Sequence, residues 1–292
     1  DRRAPGLADS VKGAVRFFDG RMDDARHTLA VARTAAREGA AVLTHTRATG
    51  AIVEDGRVCG LRLCDTLSGR ELEVRAGSVV NAAGVWAADV QGLAGPAGFS
   101  VRPAKGVHLL VDGDSFESDS GLIARAEDSV IILRRWYGNW LLGTTDTAFE
   151  GERGAPSVER SDVDYLLRNV NRYLARPLDR SDVLGAYAGL RPLLSAEHGS
   201  GATSALSRDH TVVAGPSGMV TVVGGKYTTY RVMARDAVDA AAQEAGVDAG
   251  PCRTADLPLV GADGRTEAAG ALSRLAAETG TPGAAAERML QR

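Results

Sequence analysis

The stretch Val222-Val-Gly-Gly-Lys-Tyr-Thr-Thr-Tyr-Arg231 decides how the chain is read. An apolar run meets a double glycine, a lysine, two threonines and then a helical pattern. Strand, turn and helix start in that order belong to an α/β layer. The glycines and the lysine invite a nucleotide P-loop, but that motif needs G-x-x-x-x-G-K-[ST]. Its first glycine would fall on Val220, and Tyr227 stands where Ser or Thr is required. A P-loop is therefore rejected, and a glycine turn, a cation and a helix start remain to be explained. Thr228 or Thr229 is placed to cap the helix through Val232–Ala242.

Upstream, Ala25, Leu29, Ala32 and Ala36 recur with helical spacing over Asp23–Glu38, and Gly39 supplies the stop. Ala41–Thr46 reads as a strand. Ala51–Glu54, Arg57–Asp65 and Arg70–Arg75 read as a β-meander with turns at Asp55-Gly56 and Ser68-Gly69. Ser78–Gly84 is a strand closing in small residues. From about Phe99 the texture becomes antiparallel: Gly106–Val111, Ser129–Leu133, Trp140–Thr144, Gly185–Leu193 and Asp209–Ala214 are short strands, with one helix at Val158–Leu174. Met219–Val223 returns to α/β packing. The expected division is 1–98, an α/β part carrying the meander; 99–206, mainly an antiparallel substrate domain; 207–248, a return segment of the α/β part; and 249–292, a linker with an Ala-rich helical start that stops without a cap.

The 292 residues allow a large core. Thirty-four basic and 37 acidic residues leave a net charge of −3, which argues against nucleic acid as main partner. No apolar run is long enough to span a bilayer. Cys59, Cys64 and Cys252 form no C-x-x-C and read as free thiols in a reducing compartment. The histidines show no metal spacing, so no metal is expected. Only Lys12, Lys105 and Lys226 are lysine; the other 31 basic residues are arginine. Where arginine is the default cation, a lysine in a glycine motif can mark a place for a compact ammonium.

Ligands of doubly wound sheets sit beyond the carboxyl ends of strands. Two such ends are Val80-Asn-Ala-Ala-Gly-Val-Trp86 and Val222–Thr229, where small residues let backbone approach a cofactor. Arg191, between Gly189 and Pro192, joins Arg208 and Lys226 as cations suited to a phosphate or carboxylate. His108 lies in an apolar strand after Lys105-Gly106, a setting that more often holds a satisfied core histidine than a catalyst. Gly143-Thr-Thr-Asp146 ends a strand as a candidate site turn or a capped turn.

In order, Asp23-Asp-Ala-Arg26, Val80-Asn-Ala-Ala-Gly84 with Trp86, Lys105-Gly-Val-His108, Gly143-Thr-Thr-Asp146, Gly189-Leu-Arg-Pro192, Ser207-Arg-Asp209 and Gly224-Gly-Lys-Tyr-Thr-Thr-Tyr-Arg231 resemble the FAD-dependent glycerol-3-phosphate dehydrogenases. The resemblance spans roughly residues 5–262. It implies a discontinuous, Rossmann-like FAD-binding domain with an inserted antiparallel-sheet substrate domain, an architecture like D-amino-acid oxidase. It implies FAD, oxidation of sn-glycerol 3-phosphate to dihydroxyacetone phosphate, and electron transfer to a quinone. It is compatible with a cytoplasmic protein peripheral on the inner face of the cytoplasmic membrane, and with a homodimer. By the resemblance Ala82, Ala83, Gly84, Trp86, Gly189, Gly224, Gly225, Lys226 and Thr228 face the cofactor. Arg191, Arg208 and Lys226 hold the substrate, Arg191 and Lys226 assist catalysis, and His108 is the candidate base. The family's G-x-G-x-x-G strand is absent; the nearest run, Gly199-Ser-Gly-Ala-Thr-Ser204, ends in Ser. The sequence therefore reads as a piece lacking that segment and most of a C-terminal helical domain. The alternatives are a flavin oxidase of the same fold acting on an amine or hydroxy acid, and a non-catalytic piece that binds no flavin.

Overall fold

The computed structural model describes residues 4–127, 129–195, 209–282 and 285. Two compact units emerge: residues up to 16 with 47–249, and residues 17–46 with 250 onward. In the second unit α1 (Asp24–Arg37) starts where Asp23 Oδ1 accepts from the Arg26 N–H at 3.1 Å, and it stops before Gly39 at φ +99°. Thr34 is buried on it, and its hydroxyl accepts from the Val260 N–H at 2.9 Å, ahead of the helix Arg265–Thr279. That helix ends on Gly280 in the left-handed region, so it does carry the cap that its sequence did not announce. The strand expected at Ala41–Thr46 is not one. Residues 41–45 pair with no described strand, and an extended segment becomes a strand only inside a ladder. Val42 and Leu43 stay exposed, and the ladder begins at Thr46.

The first unit opens with the meander β1 (Thr46–Glu54), β2 (Arg57–Asp65) and β3 (Glu71–Arg75). Positive φ at Asp55 and Gly56, 50° and 76°, gives the primed turn that matches strand twist. Next come β4 (Val80–Asn81), a 3-10 turn at Gly84–Trp86 and α2 (Ala87–Gly92). A six-stranded antiparallel sheet follows from β5 (Ser100–Val111), β6 (Leu122–Arg125), β7 (Val130–Trp136), β8 (Asn139–Gly143), β9 (Thr147–Ala148) and β10 (Val183–Ser195). Its order is β10-β5-β8-β7-β6, with β9 also on β5, and α3 (Arg160–Val170) covers one face. The chain then returns through β11 (His210–Ala214) and β12 (Val220–Gly224) to α4 (Tyr230–Ala245), ahead of the C-terminal helix already described, α5. β12 pairs with β4 in parallel, Val220 opposite Val80 and Thr221 opposite Asn81, so the six-stranded sheet is an insertion between two neighbouring strands. Of the two threonines offered as helix caps, Thr229 holds the cap position, but its hydroxyl donates to the Lys226 carbonyl at 3.0 Å. A 3-10 turn at Tyr227–Thr229 precedes α4 and takes over the junction.

Strand alternation assigns the two faces of β5. Val107, Leu109 and Val111 pack with Ile131, Leu133, Trp140 and Leu142 against Leu166, Leu167 and Val170 of α3. Lys105 shares their parity. Its ammonium, with 5 % of the side chain exposed, meets Asp162 at 2.8 Å and Glu159 at 3.3 Å. Asp162 also accepts from the Glu159 N–H at 2.9 Å, closing a capping box at the start of α3. Burial opposes the ammonium's charge, but Asp162 and then Glu159 outweigh it and hold its pKa above the usual lysine value.

The pair fixes the helix beneath the sheet, and removing one member strands the other. Lys105→Ala should cost about 3–5 kcal/mol in chemical denaturation by leaving the Asp162 carboxylate buried and unpaired. Adding Asp162→Asn should restore more than half of that loss.

Candidate active site

The face of β5 away from α3 carries Ala104, Gly106 and His108, and β10 sets Arg191, Gly189 and Tyr187 directly opposite them. The middle pair, Gly106 and Gly189, is bare backbone. A side chain on Gly189 would meet nothing within 4 Å, so the surface there is open. A methyl group on Gly106 would lie 2.7 Å from Arg191 Nη2 and 2.8 Å from Thr144 Oγ1. The guanidinium of Arg191 is therefore folded back over Gly106. There it donates to Thr144 Oγ1 at 3.1 Å, to the Thr145 carbonyl at 3.2 Å and to Asp146 Oδ1 at 3.3 Å. Asp146 is partly buried, with 7 % of its side chain exposed.

The same device seats the histidine. Gly143 of β8 lies opposite His108, and any side chain on it would collide with the imidazole. On its other flank His108 stacks on Tyr187, ring centroids 5.2 Å apart and planes 10° apart. Gly106 and His108 are same-face neighbours, so the seats of the cation and the imidazole are roughly 7 Å apart along the strand. Thr145 fixes the turn that supplies Thr144 and Asp146: its hydroxyl accepts from the Val107 N–H at 3.0 Å and donates to the Lys105 carbonyl at 3.3 Å.

Two glycine turns leave the neighbouring parallel strands. One is Ala82–Gly84, with Gly84 at φ +58° and open space where a side chain would sit, followed by Trp86 at 44 % exposure. The other is Gly224-Gly225, at φ +76° and +81°. A methyl on Gly224 would press on the Asp209 carbonyl at 2.7 Å; one on Gly225 would strike Met233 Sδ at 2.6 Å. Beyond them Lys226 and Thr228 are exposed. β10 packs on both β12 and the Gly84–Trp86 turn, which brings these elements and the Gly189 strand into one region.

The sequence-predicted residues thus divide. His108, Gly189 and Arg191 share one face, and Ala82, Ala83, Gly84, Trp86, Gly224, Gly225, Lys226 and Thr228 lie on two turns of adjoining elements. Arg208 and Gly199–Ser204 lie outside the described residues. Tyr187 is an addition, to which the period-2 parity of Gly189 and Arg191 points; Gly106, Gly143, Thr144 and Asp146 lay in the quoted motifs without a partner to name. Among the described residues no His, Cys, Asp and Glu cluster could hold a metal ion, and no helix is long and apolar enough to cross a membrane.

A family model described as FAD dependent oxidoreductase matches residues 1–231, most of the chain. The chain belongs to that family. It is 46 % identical over 265 residues to "Glycerol-3-phosphate dehydrogenase 2" of Mycobacterium tuberculosis, covering 90 % of this chain and 45 % of that protein. Against the mitochondrial glycerol-3-phosphate dehydrogenase of Mus musculus it is 37 % identical over 264 residues, covering 87 % of this chain and 36 % of that one. The solved glycerol-3-phosphate dehydrogenase of Bacillus halodurans, complexed with FAD, superposes with a TM-score of 0.79 at 31 % identity over 93 % of this chain and 53 % of its own. The chain spans about half the length of the curated relatives it matches.

The cofactor of the family is FAD, and the residues present fit one side of it. Gly84 and Gly189 leave backbone open without side chains, as close approach of a planar ring system requires, while Gly224 and Gly225 are packed against Asp209 and Met233 and shape the second turn through their positive φ. Gly224→Ala should cost about 1–2 kcal/mol of stability, because an L-residue resists positive φ. It should also lower the FAD content of the purified protein, read as the ratio of flavin absorbance to protein absorbance.

Proposed function

We propose that the protein oxidises sn-glycerol 3-phosphate to dihydroxyacetone phosphate with FAD and passes the electrons to a quinone. The observation that carries the reading is the pairing, on one open sheet face, of an oriented guanidinium with a stacked imidazole about one same-face step away. An anionic group and a secondary alcohol in one small substrate match that spacing. The names of the relatives support the same substrate.

Bound FAD supplies the two-electron acceptor for hydride from C2. Arg191 holds substrate phosphate oxygens through charge-assisted hydrogen bonds, oriented by Asp146 and Thr144. His108 takes the proton of the C2 hydroxyl, its ring held flat between Gly143 and Tyr187. Lys226 adds positive charge at the substrate–cofactor boundary, and the bare backbone at Gly189 leaves room for the two to meet. Quinone delivery and attachment to the inner membrane face belong to this reading as further proposals.

In the complete gene product, Arg191→Ala should raise the apparent KM for glycerol 3-phosphate about a hundredfold, the loss expected from two charge-assisted bonds. His108→Asn should lower kcat by about a hundredfold or more with a smaller change in KM. Dye-linked turnover checks both; an unchanged KM in the first, or normal turnover in the second, removes that residue from its role. If the FAD-loaded wild type oxidised glycine or a 2-hydroxy acid and left glycerol 3-phosphate untouched, the substrate assignment would fall.

A further inference from the structure

We infer that Asn81 is a positioning residue for the cofactor, acting through a buried relay to Thr221 and Gln91 that fixes both glycine turns in one register. In the parallel pair β4–β12, Asn81 stands opposite Thr221. Gly84 lies three residues beyond Asn81, and Gly224 lies three residues beyond Thr221. Both glycines have positive φ, +58° and +76°. The β4–β12 pairing ends at this cross-strand pair, β4 leaving the sheet there and β12 running on beside β11 to Gly224, so whatever fixes the pair fixes the spacing of the two turns beyond it.

The pair is fixed by side chains. Asn81 Oδ1 accepts from the Ala83 N–H at 3.2 Å, which shapes the Ala82–Gly84 turn from within. Asn81 Nδ2 donates to the Ala87 carbonyl at 2.8 Å and to Thr221 Oγ1 at 3.2 Å. The Thr221 hydroxyl donates onward to Gln91 Oε1 of α2 at 2.7 Å. Donation runs in one direction, Asn81 to Thr221 to Gln91, and each hydroxyl and amide group on the route is used in the sense its chemistry allows. Asn81, Thr221 and Gln91 are 2 %, 1 % and 2 % exposed, so water does not compete for these bonds.

Gln91 shows that the relay is kept for more than packing. Its Nε2 finds no partner among the described residues, although it is buried. A buried donor without an acceptor destabilises the fold, and leucine or methionine at that position would avoid it. What glutamine alone supplies there is the Oε1 acceptor for Thr221. The relay lies between α2 and the two strands, on none of the open backbone surfaces, so these three residues act on the cofactor only through the turns.

The inference concerns FAD and is independent of the substrate proposed above. Its test uses the complete gene product loaded with FAD and measures FAD release by the rise of free-flavin fluorescence after dilution, with the melting temperature of the apoprotein in parallel. Thr221→Val, which keeps the shape and removes the hydroxyl, should speed FAD release by about fivefold to tenfold. Thr221→Ser, which restores the hydroxyl, should return release to within about twofold of the wild type on the same hydrogen-bond scale. If Thr221→Val fails to fold, Gln91→Met removes the acceptor from the other side and carries the same expectation. A lower melting temperature with unchanged FAD release would make the relay structural only and overturn the inference. So would a serine variant that releases FAD as fast as the valine one. A wild type that retains FAD yet leaves glycerol 3-phosphate untouched would sink the proposed substrate and leave this inference standing.

Discussion

The register of β5 against β10 is the constraint on which the rest of the site depends. Twelve residues of β5 lie along β10 from Ser100 opposite Ser195 to Val111 opposite Val183. Because side chains alternate, that single choice sends Lys105, Val107, Leu109 and Val111 toward α3 and leaves Gly106 and His108 on the other side. A slip by one residue would press the imidazole into the aliphatic core and lift the Lys105 ammonium away from Asp162. The register is thus enforced twice over, by apolar packing and by a buried charge that has only one place to go.

On the open side the same register builds the site from absences as much as from side chains. Gly106 and Gly143 are seats: each lacks the one carbon atom that would block its occupant, a guanidinium in one case and an imidazole in the other. Gly189 is a gap, open above the floor. Asp146 and Thr144 then hold Arg191 in its seat, and Tyr187 holds His108 from the flank. Orientation is set before any ligand arrives, which is how a protein lends geometry to a reaction whose electron transfer belongs to its cofactor.

Much of this was legible in the sequence, for identifiable reasons. Period-2 runs and Asn- or Asp-Gly-type turn chemistry located the meander, and strand–glycine–helix order located the return segment near Gly224. Arg191 and His108 could be singled out because Gly-Leu-Arg-Pro and Lys-Gly-Val-His are unusual strings. Their adjacency could not, since it depends on the pairing of strands some eighty residues apart. Tyr187 was missed for the same reason, and Asp146, singled out only as part of a strand-end turn, takes its role from a partner across the sheet. The failed strand at Ala41–Thr46 shows the converse, since an apolar run specifies a strand only where a neighbour supplies the ladder. Thr229 failed as a cap because its hydroxyl found a nearer acceptor in the Lys226 carbonyl.

Lys105 and Arg191 also form a pattern in depth. They occupy adjoining ladder positions, one below the sheet and one above it, and each carries its own carboxylate, Asp162 beneath and Asp146 on top. Glu159 also pairs with Lys105, so the cluster carries one net negative charge. Such a floor does not by itself draw anions from a distance. Its discrimination is short-ranged: an anion is recognised there by the direction of N–H groups after contact, and capture from solution falls to charges elsewhere on the molecule.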